Sequence, residues 1–436
     1  MSQIGSFSSL QTSLRALLAF QRSLDVTAHN ISNADTEGYT RQEASLVAAT
    51  PLTIDSGALA NGSGAQLGQG VDVSAYRRMR DSFLDLQYRA QNMTLGERSA
   101  LADGLSGVED QLNEPGDSGI ASLLNDFWDS WEDLANNPVD GGAKAATVGK
   151  AQTLADALND LDSRLSDLSA NAGAQYASIT TDTGNTVGGY ADDLVRLNAA
   201  IKSELAVGRQ PNDLLDQRDL VLDKLSELGQ VSTTDSDGDG AVDVSFGDAA
   251  LPLVDGTGTI NWPQTLTAPG GKLGGLLDLQ TRIQSYRDDL DAVASSLITS
   301  VNSAYGGTVF NGTSASTISV AVTTSTIQAG TSGLAADSGL ATAVAALRNG
   351  AVDTGYAALV RRIGAEASDA SRAQSTQDTV VTTLSERRSS VSGVSLDEEM
   401  TNMVRFQRGY QAAARVMSTL DDMLETLISR TGRVGL

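Results

Sequence analysis

The chain has 436 residues, 40% of them hydrophobic but only 4% aromatic, with 30 basic and 54 acidic side chains and a net charge of −24. Phosphate repulsion argues against nucleic acid as a partner, and an anionic membrane surface is opposed in the same way. The absence of cysteine excludes disulfides, thiol nucleophiles and Cys-ligated zinc, and the length points to two or more domains.

The first segment has an amphipathic period. Phe7, Leu10, Leu14, Leu17, Gln21, Leu24, Ala28 and Ile31 alternate between spacings of three and four, a coiled-coil seam broken only by Gln21. The opening holds no apolar run long enough for a cleaved secretory signal, so any export is expected by another route. The helix should stop near residues 32–35, and Thr36-Glu37-Gly38-Tyr39 reads as a turn with Gly38 at positive φ. Residues 50–72, low in charge and rich in Gly, read as loop or short hairpin.

Helical patterning returns from Ser82, with Leu101, Leu105, Val108 and Leu112, and ends at Pro115-Gly116. Residues 119–135 form a shorter helix with two of the three tryptophans, stopped by Asn136-Asn137-Pro138. Further helices carry Leu154 to Leu168, Tyr190 to Ile201, and Asn212 to Leu228; the charges of 213–227 read as a solvated face. From Gly229 to about Lys272 the chain turns to Gly, Pro, Thr and alternating apolar residues, with Val242 to Phe246 in strand alternation. Heptads resume at Leu279, Ile283, Tyr286, Leu290, Val293 and Leu297. Residues 306–335 are again β or loop, and a long helix is expected from Gly355 to Ser389.

The last segment has eight successive apolar seam positions: Met403, Phe406, Tyr410, Ala413, Met417, Leu420, Leu424 and Leu427. Ser395 and Glu398 suit a capping box at its start, Arg430 and Gly432 its end. The fold expected is mainly α with a smaller β part: terminal coiled-coil helices (1–35 plus 395–436), a central long-helix bundle (36–228 plus 276–394) and an inserted β-rich domain (229–275), with 306–335 as a candidate addition. Such terminal seams cannot bury their apolar faces alone. They serve equally as ordinary core helices or as surfaces that pack neighbouring copies.

Three motifs suggest chemistry and lack its remaining parts. Gly116-Asp117-Ser118-Gly119 is similar to a serine-protease nucleophile motif, but the single histidine, His29, lies far off at a helix end. Asp235, Asp237 and Asp239 resemble the first half of a calcium loop, yet Phe246 stands where a bidentate Glu is required, so a hairpin turn is the preferred reading. Gly62, Gly64 and Gly68 have the wrong spacing for a dinucleotide site. No cofactor is expected.

Ala28 to Asn33 followed by Thr36 to Gln42, with Asn30, Ile31, Asn33, Gly38, Tyr39, Arg41 and Gln42 at its centre, resembles the N-terminal signature of flagellar rod, hook and hook-associated proteins. Many members have Pro where this chain has Glu37. Arg388 to Met400, Phe406 to Val416, Asn212 to Leu228 and Asn125 to Pro138 are similar to the hook-associated protein 1 family in particular. The resemblance implies a structural, non-enzymatic subunit at the hook–filament junction of the bacterial flagellum, exported unfolded by the type III path. It implies self-assembly, contacts with the hook protein and the next hook-associated protein, and an export chaperone masking the C-terminal helix. The alternatives are another axial protein of hook or rod class and, more remotely, a hydrolase using Ser118.

Overall fold

The computed structural model describes residues 3–54, 65–116, 119–181, 186–332, 334 and 337–431. Ser118, Gly62, Gly64 and Gly432 lie outside these, as do the side chains of Phe7, Leu427 and Arg430.

The chain opens with α1 (Gln3–Ser32) and returns with α10 (Leu396–Thr431), and the two pack antiparallel. Between them come β1 (Gln42–Ala48), β2 (Leu52–Ile54), β3 (Ala65–Leu67) and β4 (Val71–Arg78). Strand β1 pairs with β4 and β2 with β3, making one long antiparallel arm with a register irregularity at Ser45/Leu46. The loop or short hairpin expected over 50–72 holds the paired strands β2 and β3, the distal part of an arm that begins at Gln42. The long strands went unread because much of the arm is half-exposed and its alternation breaks at the bulge.

The body is built from α2 (Ser82–Leu112), α3 (Ile120–Asn136), α4 (Gly141–Thr181), α7 (Gly271–Tyr305), α8 (Gly339–Ala345) and α9 (Ala351–Ser392). Heptad leucines of α2, α4 and α7 meet in one core with Phe127, Trp128 and Trp131 of α3. Trp128 Nε1 donates to Asp353 at 3.0 Å, which satisfies a ring nitrogen that burial would otherwise orphan. Helices α2 and α7 approach closely because Gly275 faces Glu97: a Cβ there would stand 2.3 Å from the Glu97 carbonyl oxygen.

A second core lies over α5 (Val187–Ala206) and α6 (Asn212–Leu228). It takes Val244, Phe246, Leu253, Val254 and Leu266 from the β-rich segment, where β5 (Val231–Thr234) pairs with β6 (Asp243–Phe246). Helix α7 already begins at Gly271, inside the range assigned to the β insert. The short pair β7 (Phe310–Asn311) and β8 (Ser319–Val320) buries Phe310 and Ile318 in the first core, beside α3 and α7, and not with the second.

Candidate assembly surface and its anchoring junction

Helix α1 ends because Asn33 and the turn after it take over its last carbonyls. The Asn33 backbone N–H and side chain both donate to the His29 carbonyl oxygen (3.1 and 3.0 Å). Tyr39 N–H closes the turn on the Thr36 oxygen, with Gly38 at φ +78° in the left-handed region glycine tolerates. The turn delivers Tyr39, Arg41 and Gln42 back onto the helix they followed.

Asn30 is the centre of that return. Its oxygen accepts from Tyr39 Oη (2.8 Å) and Gln42 N–H (3.0 Å), while its nitrogen donates to the Gln42 carbonyl (2.9 Å) and to Glu399 of α10 (3.1 Å). Both amide hydrogens and both oxygen lone pairs are used, which neither Asp nor Leu could reproduce. Arg41 binds Glu399 (2.8 Å) and Glu398 (3.1 Å), and its backbone N–H donates to the Ser392 carbonyl at the end of α9. Glu398, assigned to a capping box, therefore reaches Arg41. Gln42 extends the chain of contacts into α6, donating to Asp213 (2.7 Å) and accepting from Asn212 (3.0 Å). His29 meets Tyr39 Oη at 3.2 Å and Asp213 at 3.7 Å. Of the motif residues, Ile31 has an apolar, half-buried side chain and contributes its carbonyl oxygen, which accepts from the Ala34 N–H.

Behind this motif lies an ion-pair network that the sequence reading missed. Arg78 binds Asp216 (2.9 Å) and Asp219 (2.8 Å); Arg80 binds Asp219 and Asp85. Arg89 binds Asp219 and Asp223; Arg388 binds Asp85 and Asp223. Four arginines from the end of β4, the segment after it, α2 and α9 thus meet four aspartates of α2 and α6. The charges of α6 were read as a solvated face, but Asp216 is 4% exposed and Asp219 and Asp223 are largely covered. The available signal was the spacing of 216, 219 and 223, which places three carboxylates on one helix face. Burial pushes the Asp219 carboxyl up, but Arg80, Arg78 and Arg89 more than offset this and hold it below the usual range. Asp216 goes the other way: burial outweighs its bonds to Arg78 and Thr40 and raises it. Burial also raises the Tyr39 hydroxyl, aided by Asp213, Asp216 and Glu399.

Within one chain the terminal pair covers a different stripe most deeply from the expected seam. On α1 the most deeply covered stripe is Ser13, Ala19, Ser23, Thr27 and Asn30, whereas Leu10, Leu17, Leu24 and Ile31 are half-buried and Leu14 is 44% exposed. Small hydroxyl residues can lie there because each donates to the carbonyl four residues earlier: Ser13 to Ser9, Ser23 to Ala19, Thr27 to Ser23. They also allow close approach; the Phe20 ring stands where a Cβ on Gly409 would be, 2.8 Å away. On α10, Ala413 is buried, and Met403, Phe406, Tyr410, Met417, Leu420 and Leu424 are half-buried. The leucines of α1 are therefore only partly used within one chain. Apolar Leu396, Met400, Val404, Val416 and Met423 stand exposed along α10.

The chemical candidates resolve differently. Asp235 accepts from the backbone N–H of Gly238 and Gly240. Asp239 accepts from Ala241 N–H and pairs with Lys202, so both carboxylates serve the turn. Among the described residues no group of three or more His, Asp or Glu could hold a metal ion, and no helix is long and apolar enough to cross a membrane.

Residues 105–263 match the family described as the helical domain of flagellar hook-associated protein FlgK. Residues 386–430 match the C-terminal family of flagellar basal body rod FlgEFG proteins, and residues 10–40 the flagella basal body rod family. Flagellar hook-associated protein 1 of Bacillus subtilis is 31% identical, over 98% of this chain and 98% of its own length. That of Escherichia coli is 24% identical, over 96% and 99%. These alignments run over 504 and 556 positions, so both relatives carry segments that this 436-residue chain lacks. A solved hook junction protein from Burkholderia pseudomallei overlays 52% of the chain and 46% of its own, at 25% identity and a TM-score of 0.46.

Proposed function

Since this chain belongs to the flagellar hook-associated protein 1 family, a family of structural flagellar proteins, we propose that it joins hook to filament as a self-assembling layer. The observation that carries this reading is the paired terminal helices. They are anchored to the body through Asn30, Arg41 and Glu399, and they leave apolar residues uncovered on α1 and along α10. A face of this kind suits packing against further copies. The rod-type similarity at both ends is shared among axial proteins. The helical-domain match over residues 105–263 is what favours the junction class over hook or rod.

In this reading Asn30, Ile31, Asn33, Gly38, Tyr39, Arg41 and Gln42 fix the angle at which the terminal pair leaves the body. Leu10, Leu14, Leu17, Leu24 and Ile31, with Met403 to Leu424, line the inner layer. The hook protein and the next hook-associated protein flank the layer, the subunit reaches it by type III export, and a chaperone masks α10 beforehand by a helix-in-groove contact. Deleting the gene and imaging the cells tests the role. Hooks without filaments, with flagellin shed into the medium and filaments restored by the intact gene, are expected. Missing hooks would shift the chain to the hook or rod class, and normal flagella would overturn the reading.

A further inference from the structure

Three Asn-Gly pairs occur in the chain, at 61–62, 311–312 and 349–350. In such a pair the glycine nitrogen, with no side chain beside it, is free to attack the asparagine side-chain carbon. Asn61 lies outside the described residues, and the fold treats the other two differently. Asn311 is exposed but belongs to β7, paired with Ser319, between buried Phe310 and a turn in which a Cβ on Gly312 would stand 2.4 Å from the Thr317 oxygen. Rotating its backbone breaks that pairing. Asn349 stands in an exposed turn between α8 and α9. Its side-chain amide has no partner among the described residues, and one hydrogen bond, from Gly350 N–H to the Leu347 oxygen (3.0 Å), ties down the attacking nitrogen.

The turn itself selects this dipeptide. Among the described residues two besides glycine take a positive φ, Asn113 at +51° and Asn349 at +60°, in a region that asparagine enters more easily than most residues. One step on, a Cβ at Gly350 would stand 2.6 Å from the Leu347 carbonyl oxygen, so that position takes no side chain without a shift. Asn113 is followed by Glu114, whose side chain hinders the same attack.

We propose that Asn349 is a self-modification site, deamidating without an enzyme. The Gly350 nitrogen loses its proton and bonds to Cγ of Asn349, the Cγ–Nδ2 bond breaks, and the departing nitrogen takes up a proton and leaves as ammonia. Water then opens the cyclic imide at either carbonyl, giving aspartate or isoaspartate. The carboxylate arises just before α9, where the helix dipole tolerates negative charge. It also arises beside Arg348, which holds Asp129 and Asn125 of α3. The isoaspartyl form further lengthens the main chain by one carbon ahead of Asp353, the acceptor of the buried Trp128 N–H.

The purified full chain is aged at mildly alkaline pH, folded and in denaturant. It is then digested under acid conditions and mapped by mass spectrometry, with isoaspartate detected by enzymatic methylation. In denaturant Asn311 and Asn349 should convert at similar rates. In the folded chain Asn311 should slow many-fold, while Asn349 stays within a few-fold of its denatured rate and accelerates with pH, as loss of an amide proton requires. Protection of Asn349 equal to that of Asn311, or a folded-chain rate indifferent to pH, would overturn the assignment.

Discussion

Asp219 is the residue on which three arginines converge, from β4, the segment after it and α2, and its neighbours Asp216 and Asp223 share the same partners. Removing one side of such a covered cluster leaves uncompensated cations, so Asp219→Asn should cost about 3 kcal/mol in chemical denaturation. Its pH dependence follows from the direction of the shift. The folded carboxyl titrates below the unfolded one. The stability it supplies is therefore complete above the unfolded Asp pKa of about 3.9 and is lost as pH falls through the lower folded value. Asp216, raised in the fold, acts oppositely: it favours the folded state at acid pH and loses that contribution as pH rises through its folded value. Comparing the acid limbs of wild type and Asp219→Asn isolates the first term. An unchanged limb would mean that the arginines find other partners.

At the scale of the element, the long helices were readable because their apolar periods are buried as they stand. Leu105, Val108, Leu154, Leu158, Leu165, Ile283, Leu290 and Leu297 are all essentially inaccessible. The stripe of α1 buried within one chain was not legible because periodicity weights leucine, while this interface selects small hydroxyl residues that cap their own carbonyls and admit Phe20 against Gly409. The motif around Asn30 could be spotted, but not its partner Glu399, 369 positions away, nor the conversion of α6 from a solvent face to an ionic one. A charge pattern does not say what faces it until the fold brings the arginines of β4, α2 and α9 together. On α10, Leu420 is half-buried toward α1 and lies remote from the two cores of the body. Leu420→Asp should thus leave the body's thermal unfolding unchanged and the purified chain monomeric, yet block incorporation at the hook end, since it places a charge in a packed seam. Normal incorporation by electron microscopy and blotting of isolated particles would show that this turn of α10 is not packed in the assembly.

Over the whole molecule, charge is partitioned. Residues 1–32 and 396–436 together hold seven acidic and seven basic side chains, so the entire net charge of −24 falls on residues 33–395. The terminal helices can therefore crowd together without net repulsion, whereas each added copy brings another strongly acidic body alongside its neighbours. Two electrostatic effects then oppose one another as salt changes. Screening weakens any attraction between the exposed charges of α10 and a neighbouring copy, each such pair being worth at most about 1 kcal/mol. It also relieves repulsion between bodies, whose range shrinks from about 30 Å at 0.01 M to about 8 Å at 0.15 M. With terminal helices that carry no net charge set against like-charged bodies of −24 each, relief of repulsion should dominate. Assembly of the purified chain, followed by light scattering, should therefore increase between these two salt concentrations. A decrease would mean that attraction along the terminal helices outweighs the bodies, and that the acidic surfaces are held too far apart in the layer to sense one another.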